Sequence, residues 1–415
     1  MLFEVQKGRR SLLPVLLTYF LDNFGLAIVY PIFTPLLVKS EHFFLSSSAP
    51  IFERTVLLGL LIAAFPLAQF FGAPLIGQFS DRFGRKRAFY ITVLGTGIGY
   101  TCTAISIMNH SLIGLFFSRF STGLFAGNLT LCLAAIADMS HDDATRTRNF
   151  SLISAIGGLS FIIAIAFGGI LSDPGISHHF NPSFPFWITA LLSYLNLGCV
   201  ILLFHETHKV PQRPSANPFA GVRNLLRGIK SQELRIIYTV NFLFMMAWVA
   251  SMQFLPATLL ELFQFQVGQI TLCLMGTGAT WSLTNLIINR ALAKRFFSGK
   301  ILLVSLLLIS LSLLFTMMAS TAPWFLLFFF AASCCAALCW TNGLATISLK
   351  APLAIQGSIL GINQSMTSIA AMLSPIIGGF LIAINRHALY VFGGLACLIA
   401  FSLLMSHKAY EHKTH

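Results

Sequence analysis

Long apolar runs, separated by short clusters of charged, proline and glycine residues, recur along the whole chain, and each is close to the roughly 20 residues that an α-helix needs to cross a bilayer. The first extends from about Ser11 to Val38, with Pro31 and Pro35 bending its outer half. A second begins near Thr55 and a third ends near Met108. Between them lies the charged stretch Gly77-Gln-Phe-Ser-Asp81-Arg82-Phe-Gly84-Arg85-Lys86-Arg87, which reads as a loop joining two membrane helices. After a tight turn at Asn109-His110 the fourth run covers about Ser111 to Asp138, the fifth ends near Leu171 and the sixth near Phe204. Six more follow at roughly 236–260, 269–292, 300–320, 322–349, 354–384 and 387–406. The pattern predicts an all-α polytopic membrane protein with twelve transmembrane helices.

Composition agrees with this reading. Of the 415 residues 56% are hydrophobic and only 9% charged, where a soluble domain carries about 25% charge. The net charge of +13 would suggest nucleic acid in a soluble protein, but its placement along the spans excludes that here. Of the 26 Lys and Arg, Lys39, Arg54 and Arg386 fall in outer loops and Arg119 inside a helix, while the rest lie on one side, which the positive-inside rule makes the cytoplasm, together with both termini. All eight Cys lie in apolar runs and read as small packing residues rather than a disulfide framework. The apolar run after Arg10 is too long for the core of a cleavable signal.

The runs divide six and six. His205 to Arg235 carries six cations, Pro211, Pro214 and Pro218, and little periodicity before an amphipathic-looking Val222 to Ile229, so 205–235 reads as a cytoplasmic linker between an N-terminal bundle, 1–204, and a C-terminal bundle, 236–415. Gly168-Gly169 in the fifth span recurs as Gly378-Gly379 in the eleventh, and Lys294-Arg295-Phe-Phe-Ser-Gly299-Lys300 echoes Asp81-Arg82-Phe-Gly84-Arg85-Lys86. Within the charged stretch, Gly77 would let a helix end approach a neighbour, Gly84 would supply a backbone angle that a side chain opposes, and Asp81 and Arg85 are spaced to pair.

Gly-x-x-x-Asp-Arg-x-Gly-Arg-Lys between two apolar spans resembles the signature loop of the major facilitator superfamily, which implies two pseudo-symmetric six-helix bundles and a substrate site near the midplane between them. Leu-Asp22-x-x-Gly25-x-x-x-x-x-Pro31 in helix one resembles the drug:proton antiporter branch, tetracycline exporters included. Among 13 acids only Asp22 sits deep in a span, about ten residues or roughly 15 Å from its inner end, where a carboxyl is costly and faces a water path or a partner; it is the candidate proton carrier. Arg119-x-x-Thr-Gly123-x-x-Ala126-Gly127 resembles the helix-four motif that the family links to proton coupling, so Arg119 becomes the candidate partner of Asp22. A structural arginine satisfied by carbonyls is the plainer reading. Resemblance also implies a cytoplasmic gate in which Asp81, Arg85 and Asp138 act together, within the signature that includes Gly77, Arg82, Gly84 and Lys86. One motif departs from the branch. Where helix five usually carries Gly-x-x-x-Gly-Pro-x-x-Gly-Gly, this chain has Ser160-x-x-x-Ala164-Ile165-x-x-Gly168-Gly169, which removes a cue for antiport and leaves uptake open.

Polar and aromatic residues of spans one, four, seven and ten, namely Asn23, Asn128, Asn241, Trp248, Gln253, Trp340 and Asn342, are candidates for lining the substrate cavity, with interhelical hydrogen bonding as the alternative for each Asn or Gln. One embedded acid and little other fixed charge suit a largely apolar, even cationic solute. The function implied is proton-coupled transport, exporting a drug-like or metabolite molecule; the alternatives are import of a small nutrient, or a non-transporting sensor on the same fold. No His-x-x-x-x-Asp, Gly-x-Ser-x-Gly or Walker loop is present, which argues against an enzyme and an ATP-driven pump. The partners expected are a small solute, protons and the lipid bilayer, for a monomer of the bacterial inner membrane with no cofactor, no metal and no nucleic acid.

Overall fold

Helices occupy every apolar run, and their ends fall where proline, glycine or charge interrupts the run. The computed structural model describes residues 2–38, 44–45, 49–139, 143–207, 235–350, 356–385 and 387–411. Most of the linker read between 205 and 235 lies outside these residues. In order the helices are α1 (Leu2–Ala27), α2 (Val29–Val38), α3 (Ile51–Phe83), α4 (Arg85–Met108), α5 (Leu112–Phe125), α6 (Asn128–Met139), α7 (Asp143–Leu171) and α8 (Phe184–Leu203). Then come α9 (Arg235–Gln253), α10 (Leu255–Phe263), α11 (Val267–Leu283), a π-helical turn at Thr284–Asn289, α12 (Arg290–Ala293), α13 (Ser298–Met318), α14 (Ala322–Lys350), α15 (Gln356–Ile384) and α16 (Ala388–Glu411). Among the described residues ten stretches are long and apolar enough to span a membrane, and two shorter apolar helices, Leu112–Phe125 and Ile156–Leu171, account for the remaining predicted spans.

The chain forms two compact units. One comprises residues 1–47 and 64–220, the other 48–63 and 221–415, so α3 contributes its first part to the second unit and the rest to the first. Both units repeat one local arrangement. Ile28 separates α1 from α2 three residues before Pro31, and Phe254 separates α9 from α10 two residues before Pro256. Proline cannot donate the helical hydrogen bond, and the interruption lies in the turn before it. Against each break packs the first glycine of the repeated pair. A Cβ on Gly168 would lie 2.9 Å from the Ile28 carbonyl oxygen, and one on Gly378 would lie 2.6 Å from the Phe254 ring. The weak sequence repeat thus marks equivalent contacts.

Three expectations are corrected. The charged stretch Gly77–Arg87 is not a loop: α3 runs on to Phe83 and α4 starts at Arg85, with Gly84 alone between them at φ 95°. Charged side chains at a helix end reach water without the backbone having to unwind. Among the described residues Gly77 makes no close approach, because a Cβ there would meet nothing of them within 4 Å. The fourth span is broken rather than continuous. It stops at Phe125 and restarts at Asn128, and the Gln69 side chain of α3 donates its Nε2 hydrogen to the freed Ala126 carbonyl.

In the first unit Val15, Phe89, Leu131, Cys132, Ile136, Val200 and Phe204 form a buried core that joins α1, α4, α6 and the end of α8. It sets the register of Asp22 on α1 against the start of α6.

Candidate functional site

Asp22 sits one and a half turns before the Ile28 break, half-buried among side chains of the first unit. The Asn128 Nδ2 donates to its Oδ1 at 3.0 Å. Asn128 is the first residue of α6, so the break in the fourth span is where this side chain meets the carboxylate. Asn23, the next residue, is spent locally, donating to the Tyr19 carbonyl at 2.9 Å.

Asp22, Asn128, Thr18, Leu21, Val93, Thr96, Tyr100, Ser193 and Asn196 enclose a cavity of about 10 Å³. That is room for about one water molecule and no organic solute. Asn196 donates to Thr18 Oγ1 at 2.9 Å, and Thr18 donates to the Pro14 carbonyl at 2.8 Å.

Tyr100, on α4, is fully buried and lies within electrostatic reach of both Asp22 and Arg119. Its hydroxyl occupies the space beside Gly25, where an added Cβ would fall 1.6 Å from the oxygen, so Gly25 is required by the approach of Tyr100. Arg119 does not pair with Asp22. Its guanidinium carbon lies 4.6 Å from the Phe65 ring centroid and 5.6 Å from that of Phe33, and its Nε and Nη1 have no hydrogen-bond partner among the described residues.

A second polar cluster gathers around the α3–α4 junction. Arg85 Nε meets Asp138 Oδ2 at 3.1 Å, and Arg85 Nη1 donates to Ser80 Oγ at 2.7 Å. Glu206, beyond α8, caps α4: the Arg85 and Lys86 backbone N–H groups donate to its carboxylate at 2.9 and 3.1 Å. Lys86 Nζ reaches the Ile201 carbonyl, and exposed Arg82 lies over the Phe83 ring. The side chain of Asp81 lies outside the described residues. Gly84 adopts the positive φ that sequence reading expected of it, and the Glu206 carboxylate fills the space where its side chain would be.

The second unit holds the other cavity candidates. Asn241 donates to Asn363 Oδ1 at 3.1 Å, and Asn342 donates to Asn289 Oδ1 at 2.8 Å at the π-helical turn, so both join helices. Gln253 is buried with no hydrogen-bond partner for its Oε1 among the described residues, and Trp340 is half-buried. Trp248 stacks between Trp281 and Phe329, at 5.9 and 5.8 Å between centroids.

Sequence reading missed Tyr100, Thr18, Asn196 and Glu206. Thr18 was within reach, since it lies four residues before Asp22 on one helical face. Asn196 and Ser193 share a face of the sixth span in the same way, whereas the roles of Tyr100 and Glu206 depend on contacts distant in sequence.

A profile of the Major Facilitator Superfamily matches residues 15–258 and 237–414. The tetracycline resistance protein, class C, of Escherichia coli is 27% identical over 408 residues, covering 96% of each chain. Multidrug resistance protein 1 of Bacillus subtilis (strain 168) is 25% identical over 98% of this chain and 99% of its own. Among solved structures a D-xylose-proton symporter superposes with a TM-score of 0.75 at 14% identity, over 95% of this chain and 96% of that one.

Proposed function

The chain belongs to the Major Facilitator Superfamily, and on that premise we propose that it is a proton-coupled secondary transporter that exports a drug-like or metabolite molecule by alternating access. It is a multi-pass membrane protein, which we assign to a bacterial inner membrane with both termini in the cytoplasm, from the basic inner segments. The observation that carries the proposal is Asp22. An acid within the first span, hydrogen-bonded by Asn128 at a helix start and unpaired with any described cation, is built to exchange a proton. Arg119, held between Phe33 and Phe65 and linked to Asp22 only through Tyr100, acts as a fixed charge that biases this exchange. The Arg85–Asp138 pair, with Asp81, Arg82, Gly84 and Lys86 around it, serves as the cytoplasmic gate.

Relatives named for tetracycline and multidrug resistance support export of bulky organic solutes. Import remains the second reading, on one observation. α7 runs unbroken through Ala164 and Ile165, both fully buried, where exporters of this branch bend at Gly-Pro. Flux into proteoliposomes under an imposed pH gradient, with cationic dyes and tetracycline as solutes, tests both. Solute movement opposite to protons and its loss in Asp22→Asn are expected. Movement with the protons selects import, and unchanged pH-driven flux in the variant overturns the role of Asp22.

A further inference from the structure

The link between α12 and α13, residues 294–297, echoes the charged stretch around Gly84 but lacks the acids that complete it in the first unit. There Arg85 pairs with Asp138, and the Arg85 and Lys86 backbone N–H groups donate to Glu206. In the second unit Arg290, Lys294, Arg295 and Lys300 are all exposed, and none meets a carboxylate among the described residues. Lys300 Nζ lies 5.1 Å from the centre of the Phe296 ring, which holds its charge over the link. Amid these cations Phe297 is 90% exposed, more than any other large apolar side chain described.

The link joins two stretches, Val267–Ala293 and Ser298–Met318, that are each long and apolar enough to span a membrane, so it turns at a membrane surface. Exposed Leu286 and Ile287 before it and Val304 and Leu308 after it face lipid. A phenyl ring there is unfavourable in water and favourable at the boundary of headgroups and acyl chains, which sets the neighbouring cations at the level of the phosphates. Other uses of these charges fit less well. An ion-paired gate like that of Arg85 needs an acid, and the sequence has none between Glu261 and Glu411. The linker is no counter-charge, since 208–234 carries Lys209, Arg213, Arg223, Arg227 and Lys230 against Glu233 alone. Orienting the chain in the membrane requires the cations but not an exposed ring among them.

We propose that this link is a binding site for an anionic phospholipid, its phosphate held by Lys294, Arg295 and Lys300 and the start of its acyl chains met by Phe297. The Arg295 guanidinium can offer a phosphate two parallel N–H groups, and the two lysines act as point charges on either side. Arg290, four residues before Lys294 on the same helical face, adds long-range attraction. A lipid such as phosphatidylglycerol brings a phosphodiester with no cation of its own. The headgroup of phosphatidylcholine adds an ammonium that four neighbouring cations repel. The site depends neither on Asp22 nor on the direction of transport.

Thermal unfolding of the purified full-length protein in neutral detergent, titrated with phosphatidylglycerol or with phosphatidylcholine of the same acyl chains, tests the site, because a ligand bound only by the folded state stabilises it. In wild type the half-effect concentration should be about tenfold lower for phosphatidylglycerol, and this gap should close at about 0.5 M salt; that comparison needs no variant. Replacing the three cations together, Lys294→Gln, Arg295→Gln and Lys300→Gln, should remove the gap, while the response to phosphatidylcholine shows that the variant is folded. A control with the same change in net charge, Arg223→Gln, Arg227→Gln and Lys230→Gln in the linker, should keep it. Phe297→Ser should weaken the response to both lipids several-fold. Inorganic phosphate should give no shift, and one as large as that of phosphatidylglycerol would overturn the assignment to lipid. Equal responses to the two lipids in wild type, a gap that survives in the triple variant, or one lost equally in the linker control would overturn the site. The proton role of Asp22 is measured separately by flux, so the two proposals fail independently.

Discussion

A carboxylate inside a span is tolerated only in polar company, and for Asp22 that company is chiefly Asn128. A hydrogen bond to a charged acceptor is worth about 1.5–3 kcal/mol, so Asn128→Ala should destabilise the protein by about that amount while Asp22 is ionised. The donor favours the charged form, hence the loss should be largest at alkaline pH and shrink as acid protonates Asp22; unfolding of both proteins across pH measures it. Tyr100→Phe keeps the ring against Gly25 and removes only the hydroxyl between Asp22 and Arg119. It should lower the pH-driven rate several-fold with the solute KM unchanged, whereas a Tyr100 that merely packs would leave the rate intact. Asp22 was legible in the sequence because charge in an apolar run stands out. Tyr100 was not, because its meaning comes from Gly25, on another helix and 75 positions away in the chain.

At the scale of elements, the sequence located spans well and their interruptions unevenly. The breaks at Ile28 and Phe254 have prolines behind them and can be read locally. The break at Ala126-Gly127 has no proline, and the freed carbonyl depends on Gln69, a tertiary contact that no local pattern announces. The α3–α4 junction failed differently: the charges correctly marked a membrane boundary, but a boundary does not require a loop, and the turn is confined to Gly84. Its φ of 95° with ψ of 157° lies in a region that essentially only glycine occupies, and the Glu206 carboxylate stands in the way of a side chain. Gly84→Ala should therefore cost about 1–3 kcal/mol of stability. Glu206→Ala removes the cap on the first N–H groups of α4, for a loss of about 1–2 kcal/mol, while leaving the Arg85–Asp138 pair in place. Thermal unfolding of the two variants tests both values.

At the scale of the whole molecule, the two units repeat their helix breaks but not their chemistry. Counting back six residues from Ile28 reaches Asp22, and six back from Phe254 reaches Trp248. The pseudo-equivalent positions thus carry a carboxylate in the first unit and, in the second, an indole stacked between Trp281 and Phe329. The sequence repeat implied equivalent frames but could not show this exchange, because the spacing between related residues differs between the helix-five pair and the helix-one pair. On the proposed function, we assign the driving ion to the first unit and reading of the organic solute to the second. Trp248→Ala should then raise the solute KM several-fold, since an aromatic contact is worth about 0.5–1.5 kcal/mol, and leave the pH dependence of flux unchanged. Asp22→Asn should do the reverse, removing the pH dependence while solute binding in detergent persists. If Trp248→Ala instead altered the pH profile with the solute KM intact, the second unit would not be where the solute is read, and the separation of roles would be refuted.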